Sequence, residues 1–240
     1  MGKAIALGVL IFLVVIIARA PASLITTALP DQARAQLVNL DGTLWGGAGD
    51  LLVEGVAIGR LDWALQPVTF LKGRVGYDLA LSGGELTLDG EASAGITGTT
   101  EAALRGQVGA GFVNQWLAPY YINLAGTFRI DDLTTTITGS GPLPEQLGGQ
   151  IRWDGGPVNY RLSGKMHSSA LPPMRAELGP GPEAVAFAEG ETTPLLIAEL
   201  KSDGFARIGV TKYLTRLLGQ PWPGGDPDHA VVLEVEEQVF

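Results

Sequence analysis

The sequence contains no cysteine. That absence removes disulfides, thiol catalysis, thiolate metal sites and haem attachment through a CxxCH motif. Only two of the 240 residues are histidine, and charged residues make up 17% of the chain. The sixteen basic residues are scattered, with no run of three. Phosphate-backbone binding needs clustered Lys and Arg, so nucleic acid is excluded as a partner. The net charge of -9 also gives an anionic lipid surface nothing to attract, and any membrane attachment must be hydrophobic.

What the chain has in quantity is glycine, 34 residues spread over the body without a triplet period. They stand between short alternating segments, where strands turn or cross closely. No HExxH, GxSxG, GxxxxGK[ST] or helix-opening GxGxxG occurs. His167 and His229 are far apart, and each is expected in a surface or loop role. The carboxylate groups Asp131-Asp132 and Glu234, Glu236, Glu237 are read as a turn and as the solvated side of a strand, not as a hydrolytic pair. The expected sets of catalytic, cofactor-binding and metal-binding residues are therefore all empty, with no cofactor, and the chain reads as a non-enzyme.

Ala4 to Ala18 is an uncharged run of fifteen residues, preceded by Lys3 and followed by Arg19. About twenty apolar residues cross a bilayer, and a snorkelling Arg19 extends the span to about Ile25. The favoured reading is a retained signal anchor. A cleaved leader, with Ala18-Arg19-Ala20 as a small-x-small site, and a buried core helix are the alternatives. The chain is thus divided into residues 1–25, a cytoplasmic N-terminus and transmembrane anchor, and residues 26–240, a β-rich domain outside the cytoplasm.

Past a short helical stretch from Ser23 to Gln36, the period becomes two. Arg74 to Asp89 predicts a hairpin turning at Gly83-Gly84, with Leu81 facing Leu86, Leu79 facing Leu88 and Tyr77 facing Gly90. Gln150 to Leu162 predicts a second, turning at Gly155-Gly156, with Trp153 opposite Val158. Gly126 to Gly139 predicts a third, turning at Asp131-Asp132. Leu51 to Leu65 gives another strand pair, ended by Pro67. Phe112 to Tyr121 and Lys212 to Leu218 are short helices, Leu171 to Pro182 and Gln220 to Asp228 are loops, and Ala230 to Glu236 is a last strand. Each hairpin gathers its apolar side chains on one face. The fold class is mainly β: a curved or rolled antiparallel sheet with a packed concave side, behind one N-terminal transmembrane helix. The five tryptophans, Trp45, Trp63, Trp116, Trp153 and Trp222, are expected mainly in the core.

Several segments carry a resemblance. LDGTLWGGA (Leu40 to Ala48) resembles the G-T-L-W-x-G signature of the type II secretion system protein N family. LDWALQPVTFLKGRVGYDL (Leu61 to Leu79) is similar to its W-x-L-x-P block, and IRWDGG and Gly219-Gln220-Pro221-Trp222 are similar to later pieces. The resemblance implies a single-pass subunit of the bacterial inner membrane, its main domain in the periplasm. It implies a structural, non-enzymatic role in export of folded proteins across the outer membrane. The implied partners are other secretion-system proteins, inner-membrane or periplasmic components and among them the outer-membrane secretin, together with the inner membrane. A lipid- or hydrophobe-binding envelope bridging protein with an AsmA-like curved groove is the alternative, with lipid as ligand. An open trough lined by Leu, Val and Phe distinguishes it from a filled scaffold. Gly42, Gly46 and Gly47 are read as letting the chain turn under the Trp45 indole. Trp45 and Trp63 are expected in one core, where Trp45→Ala costs about 3–5 kcal/mol.

Overall fold

The computed structural model describes residues 20–23, 35–138 and 144–238. Of the predicted anchor, residues 1–25, only 20–23 are described, and these pair with Gly42 to Leu44 instead of continuing a helical span to Ile25. Most of the helical stretch expected after it also falls outside the described residues. Among those described, no helix is long and apolar enough to cross a membrane.

Among the described residues, sixteen strands form two antiparallel sheets. The large sheet begins as a meander of six: β1 (Ala35–Thr43), β2 (Gly46–Val53), β3 (Val56–Gln66), β4 (Arg74–Gly83), β5 (Leu86–Gly95) and β6 (Thr99–Gly109). It continues through β8 (Thr127–Thr138), β9 (Gln146–Trp153), β12 (Met174–Leu178), β13 (Glu183–Ala188), β14 (Pro194–Leu200), β15 (Phe205–Thr211) and β16 (Val231–Gln238). Thirteen strands run in the order β1-β2-β3-β4-β5-β6-β8-β9-β12-β13-β14-β15-β16, and the sheet does not close. The small sheet has the order β11-β10-β7, from Lys165–Leu171, Gly156–Leu162 and Ile122–Leu124. The mainly β, antiparallel expectation therefore holds.

One face of the large sheet is apolar. Register aligns Leu61, Leu81 and Leu88 across β3 to β5, and Leu86, Val108, Phe128 and Trp153 across β5, β6, β8 and β9. Helix α1 (Ala110–Leu117) brings Phe112 and Val113 onto a core of Ile58, Leu86 and Val108. A second cluster, Ala188, Leu195 and Leu214, is closed by α2 (Lys212–Leu217). Buried Thr211 starts that helix. Its hydroxyl donates to the carbonyls of Pro194 and Leu195 and accepts the Leu214 amide.

The first hairpin exists, but its turn lies one residue later, at Gly84-Glu85, so that Leu81 pairs with Leu88, Leu79 with Gly90 and Tyr77 with Ala92. Gly83 stays in the strand because β3 presses on it: a Cβ there would lie 2.6 Å from the Gly59 Cα. Sliding the turn by one residue moves each pair by two, so the leucines keep their common face. Glu85 then meets the start of α1: the amides of Gly109, the last residue of β6, and of Gly111 donate to its carbonyl and carboxylate, each at 2.8 Å. A carboxylate is well placed at a helix N-terminus.

The second predicted hairpin is overturned. β9 pairs with β8 and β12, while β10 leaves for the small sheet. Gly155 and Gly156, at φ +80° and +137°, carry the chain between sheets instead of folding it back. The third is also overturned. Thr127–Thr138 is one strand, and Asp131-Asp132 is a bulge with Asp132 at φ +48°. An extra residue absorbed in a strand leaves the same short-range sequence signature as a turn. The loop expected over Leu171 to Pro182 contains strand β12, whose Met174, Ala176 and Leu178 alternate behind Pro172-Pro173. Gln36, taken into the helical stretch, lies in β1.

The pair over Leu51 to Leu65 is as expected, β2 and β3 turning at Glu54-Gly55, and Pro67 ends β3 by opening a 3-10 turn, Pro67–Lys72. Both short helices and the last strand are likewise found.

Candidate functional surface

The face opposite the apolar one is wet, and its residues come from the alternate positions of the same strands. Asp62, Asp78, Asp89 and Glu91, with Arg105 beyond them, line an open groove of about 800 Å³ across β3 to β6. Small residues, Ala64, Ala80 and Ala103, form part of its lining. The Gln66 amide bridges the carboxylates of Asp78 and Glu91 at the groove's end. No leucine, valine or phenylalanine side chain of this face fills the groove: Leu79 and Leu104, which border it, belong to the register row of Trp63 on the apolar face.

Further along the same face the sign of the charge changes. Arg129, Arg152 and Arg175 stand directly opposite one another on β8, β9 and β12. Like charges in register are unfavourable, and each guanidinium has an acid beside it. Asp154 lies 3.9 Å from Arg129, Asp131 3.4 Å from Arg152, and Glu177 3.0 Å from Arg175. Arg175 also lies over the Phe187 ring and donates to the Ala188 and Glu191 carbonyls. The Arg129 and Arg152 pairs are solvent-exposed, each worth a fraction of a kcal/mol, whereas Arg175 is largely covered. The chemistry of the two exposed pairs suits exchangeable ion pairing with a polar partner more than internal stabilisation.

Of the two candidate carboxylate groups, Asp131-Asp132 lies in the β8 bulge and not in the expected turn, while Glu234, Glu236 and Glu237 lie along β16 as expected. Asp131 pairs with Arg152, while Glu234 and Glu236 pair with Arg207 and Lys201 along exposed β16. Glu237 meets the phenol of Tyr120, whose pKa is raised first by desolvation and then by that carboxylate. Arg207 is raised too, through its hydrogen bond to Glu199. Among the described residues no group of three metal-ligating side chains exists.

His167 sits half-buried on β11, stacked 5.5 Å from the Tyr160 ring, with its Nδ1 at 3.1 Å from the Gln220 amide. Nearby Ser169 does not serve it. The Ser169 hydroxyl donates to the Leu218 carbonyl at 2.7 Å, and Tyr160 donates to the same oxygen at 2.9 Å. Leu218 ends α2, where carbonyls lack helical partners, so this polar cluster is a helix cap. His229 is exposed in the loop before β16.

The tryptophans divide. Trp63 and Trp153 are buried, and each indole donates to a backbone carbonyl, of Thr43 at 3.1 Å and Ala125 at 2.8 Å. Trp116 and Trp222 are exposed and Trp45 is half-buried, against the expectation of a shared core. The glycine lying under an indole is Gly47, and the indole is that of Trp63. Sequence reasoning missed the ionic face. The acidic half of that face has its signal in Asp62, Asp78 and Asp89, which alternate with the apolar residues of their strands.

The two edges of the sheet are both blunted. β1 carries a bulge between Val38 and Asp41, and β16 carries three glutamates. The small sheet's β7 edge is closed by Asn114 of α1, whose amide exchanges two hydrogen bonds with the backbone of Leu124.

No curated protein and no solved structure matches the chain. The family model described as type II secretion system (T2SS), protein N, matches residues 33–210, which run from just before β1 into β15 and include the whole wet groove and the arginine row. The chain therefore belongs to the type II secretion system protein N family.

Proposed function

We propose that this chain is a non-enzymatic, inner-membrane-anchored subunit of the secretion apparatus that works by holding another envelope component against the wet face of its periplasmic sheet. Family membership makes it a component of the type II secretion system, whose parts are envelope-associated. The observation that carries the finer reading is the division of one face into an acidic groove and an arginine row. A stably folded sheet gains little from such a surface, whereas complementary charges speed and orient association with a partner. The anchoring rests on the uncharged run Ala4 to Ala18.

The lipid-groove alternative needs an open apolar trough. Here the open groove is lined by carboxylates, while the apolar face is packed under α1 and α2. That arrangement favours the scaffold.

Crosslinking in intact envelopes, followed by identification of the captured species, tests the proposal. Capture of another secretion component supports it. Capture of lipid alone, with no protein adduct, contradicts it.

A further inference from the structure

The 3-10 turn Pro67–Lys72 is built inside out. Its one buried residue is polar: Thr69 donates to the Gln66 carbonyl at 2.7 Å and accepts the Gly76 amide at 2.9 Å. Fastened there, the turn directs its apolar side chains into solvent. Val68 is 61% exposed, Phe70 48% and Leu71 88%. The neighbouring β5–β6 turn presents Ile96 at 91% exposure. The Ile96 amide donates to the Gly73 carbonyl at 3.2 Å, so the two tips form one patch, with Lys72 at its rim. Single exposed apolar residues are ordinary, but four large ones held outward at adjoining tips mark an interaction surface.

The position of the patch identifies its partner. β1, β3 and β5 all run toward this end of the sheet, which also carries the Leu44-Trp45 turn. The chain arrives at the same end: Leu44 donates to the Ala20 carbonyl at 2.9 Å, Ala22 donates to Gly42, and Pro21 bridges to Thr43. Two peptide units hold Ala18, the last residue of the uncharged run, within about 7 Å of Ala20. As a helix, fifteen residues span about 22 Å, less than the hydrocarbon thickness of about 30 Å. Only Arg19 separates the run from sheet-paired Ala20, so an anchored chain holds this end of the domain at the lipid surface.

The geometry points to a membrane seat: Val68, Phe70, Leu71 and Ile96 dip into the interface of the bilayer that holds the anchor, with the Lys72 ammonium at headgroup level. The inference rests on the anchor reading above and adds to it a fixed orientation, with strands β1 to β6 rising from the membrane. Because the net charge is -9, apolar insertion and not electrostatic attraction supplies the contact.

The absence of cysteine makes the test clean. The full chain, carrying one cysteine as Leu71→Cys, Ile96→Cys or Thr87→Cys, is labelled with an environment-sensitive fluorophore. It is then reconstituted in phosphatidylcholine–phosphatidylglycerol vesicles. Thr87 is an exposed position near the opposite end of β5, roughly 30 Å from Ile96 along the strand. The expected result is a blue shift and quenching by brominated acyl chains at 71 and 96, with neither at 87. Water-like emission at 71 and 96 from chains that float with the vesicles overturns the seat and leaves the anchor standing. Such a result assigns the patch to a protein partner. Failure of the unlabelled chain to float with vesicles overturns the anchor and the seat together.

Discussion

The indole of Trp63 occupies the space where Gly47 lacks a side chain. A Cβ on Gly47 would lie 2.8 Å from Cζ2 of the ring and 2.3 Å from the Asp41 carbonyl oxygen. The pair stands opposite in register on β2 and β3, and the ring's N–H reaches back to Thr43. A glycine of the signature segment and a tryptophan sixteen residues on are thus one packing unit.

Removing the ring is therefore expected to cost about 3–5 kcal/mol in Trp63→Ala, while half-buried Trp45→Ala costs less. Gly47→Ala overpacks the same spot, and a loss of about 1–3 kcal/mol is expected. Denaturant unfolding of the three variants checks the order. Equal losses for the two tryptophan variants would contradict it.

The bulge in β8 makes a second prediction. Asp132 holds a left-handed backbone, tolerable for Asp but strained for a β-branched residue. Asp132→Val is expected to destabilise by about 1–2 kcal/mol, and Asp132→Gly to stay within about 1 kcal/mol of the parent. Equal stability of both variants speaks against the bulge.

The Leu218 carbonyl gives a third. Tyr160 and Ser169 both donate to it, so either one alone keeps it satisfied. Tyr160→Phe and Ser169→Ala are each expected to cost about 0.5–1.5 kcal/mol, and the double variant more than their sum, because only then is the carbonyl left bare. A double-mutant cycle measures the excess, and strict additivity rules the shared acceptor out.

A fourth prediction concerns alkali. Partial desolvation, and then the Glu237 carboxylate, raise the half-exposed Tyr120 phenol above its ordinary value of 10.0. The folded state therefore holds this proton more tightly than the unfolded one, and unfolding becomes easier as pH rises. The stabilisation is complete below pH 10 and is lost as pH climbs through the folded-state value. Tyr120→Phe is expected to flatten stability above pH 10, and an unchanged alkaline slope contradicts the contact. Tyr77, also raised by burial, remains as the background.

The sequence showed the local side of this fold well and the long-range side poorly. Alternation placed Leu79, Leu81, Leu86 and Leu88 on one face correctly, because that assignment survives the slip of the turn from Gly83-Gly84 to Gly84-Glu85. The slip itself came from Gly59 on a neighbouring strand, which no local pattern displays. Asp131-Asp132 and Gly155-Gly156 both looked like hairpin turns. One is a bulge and the other a passage between sheets, since the partner of a strand is decided by distant packing. The family was legible in the Gly and Trp segments, and the match over residues 33–210 agrees. The wet face was not, because Arg129, Arg152 and Arg175 are brought into one row only by the register of β8, β9 and β12.

The central claim is that this ionic face holds another secretion component. A photocrosslinking side chain placed at Asp89 or Arg152 in the full chain, in intact cells, measures it most directly, with Lys165 on the exposed tip of the small sheet as the reference position. The account predicts adducts with a secretion-system protein from positions 89 and 152 and none from 165. Adducts from 165 alone, or none from any position while the chain still supports secretion, would contradict it.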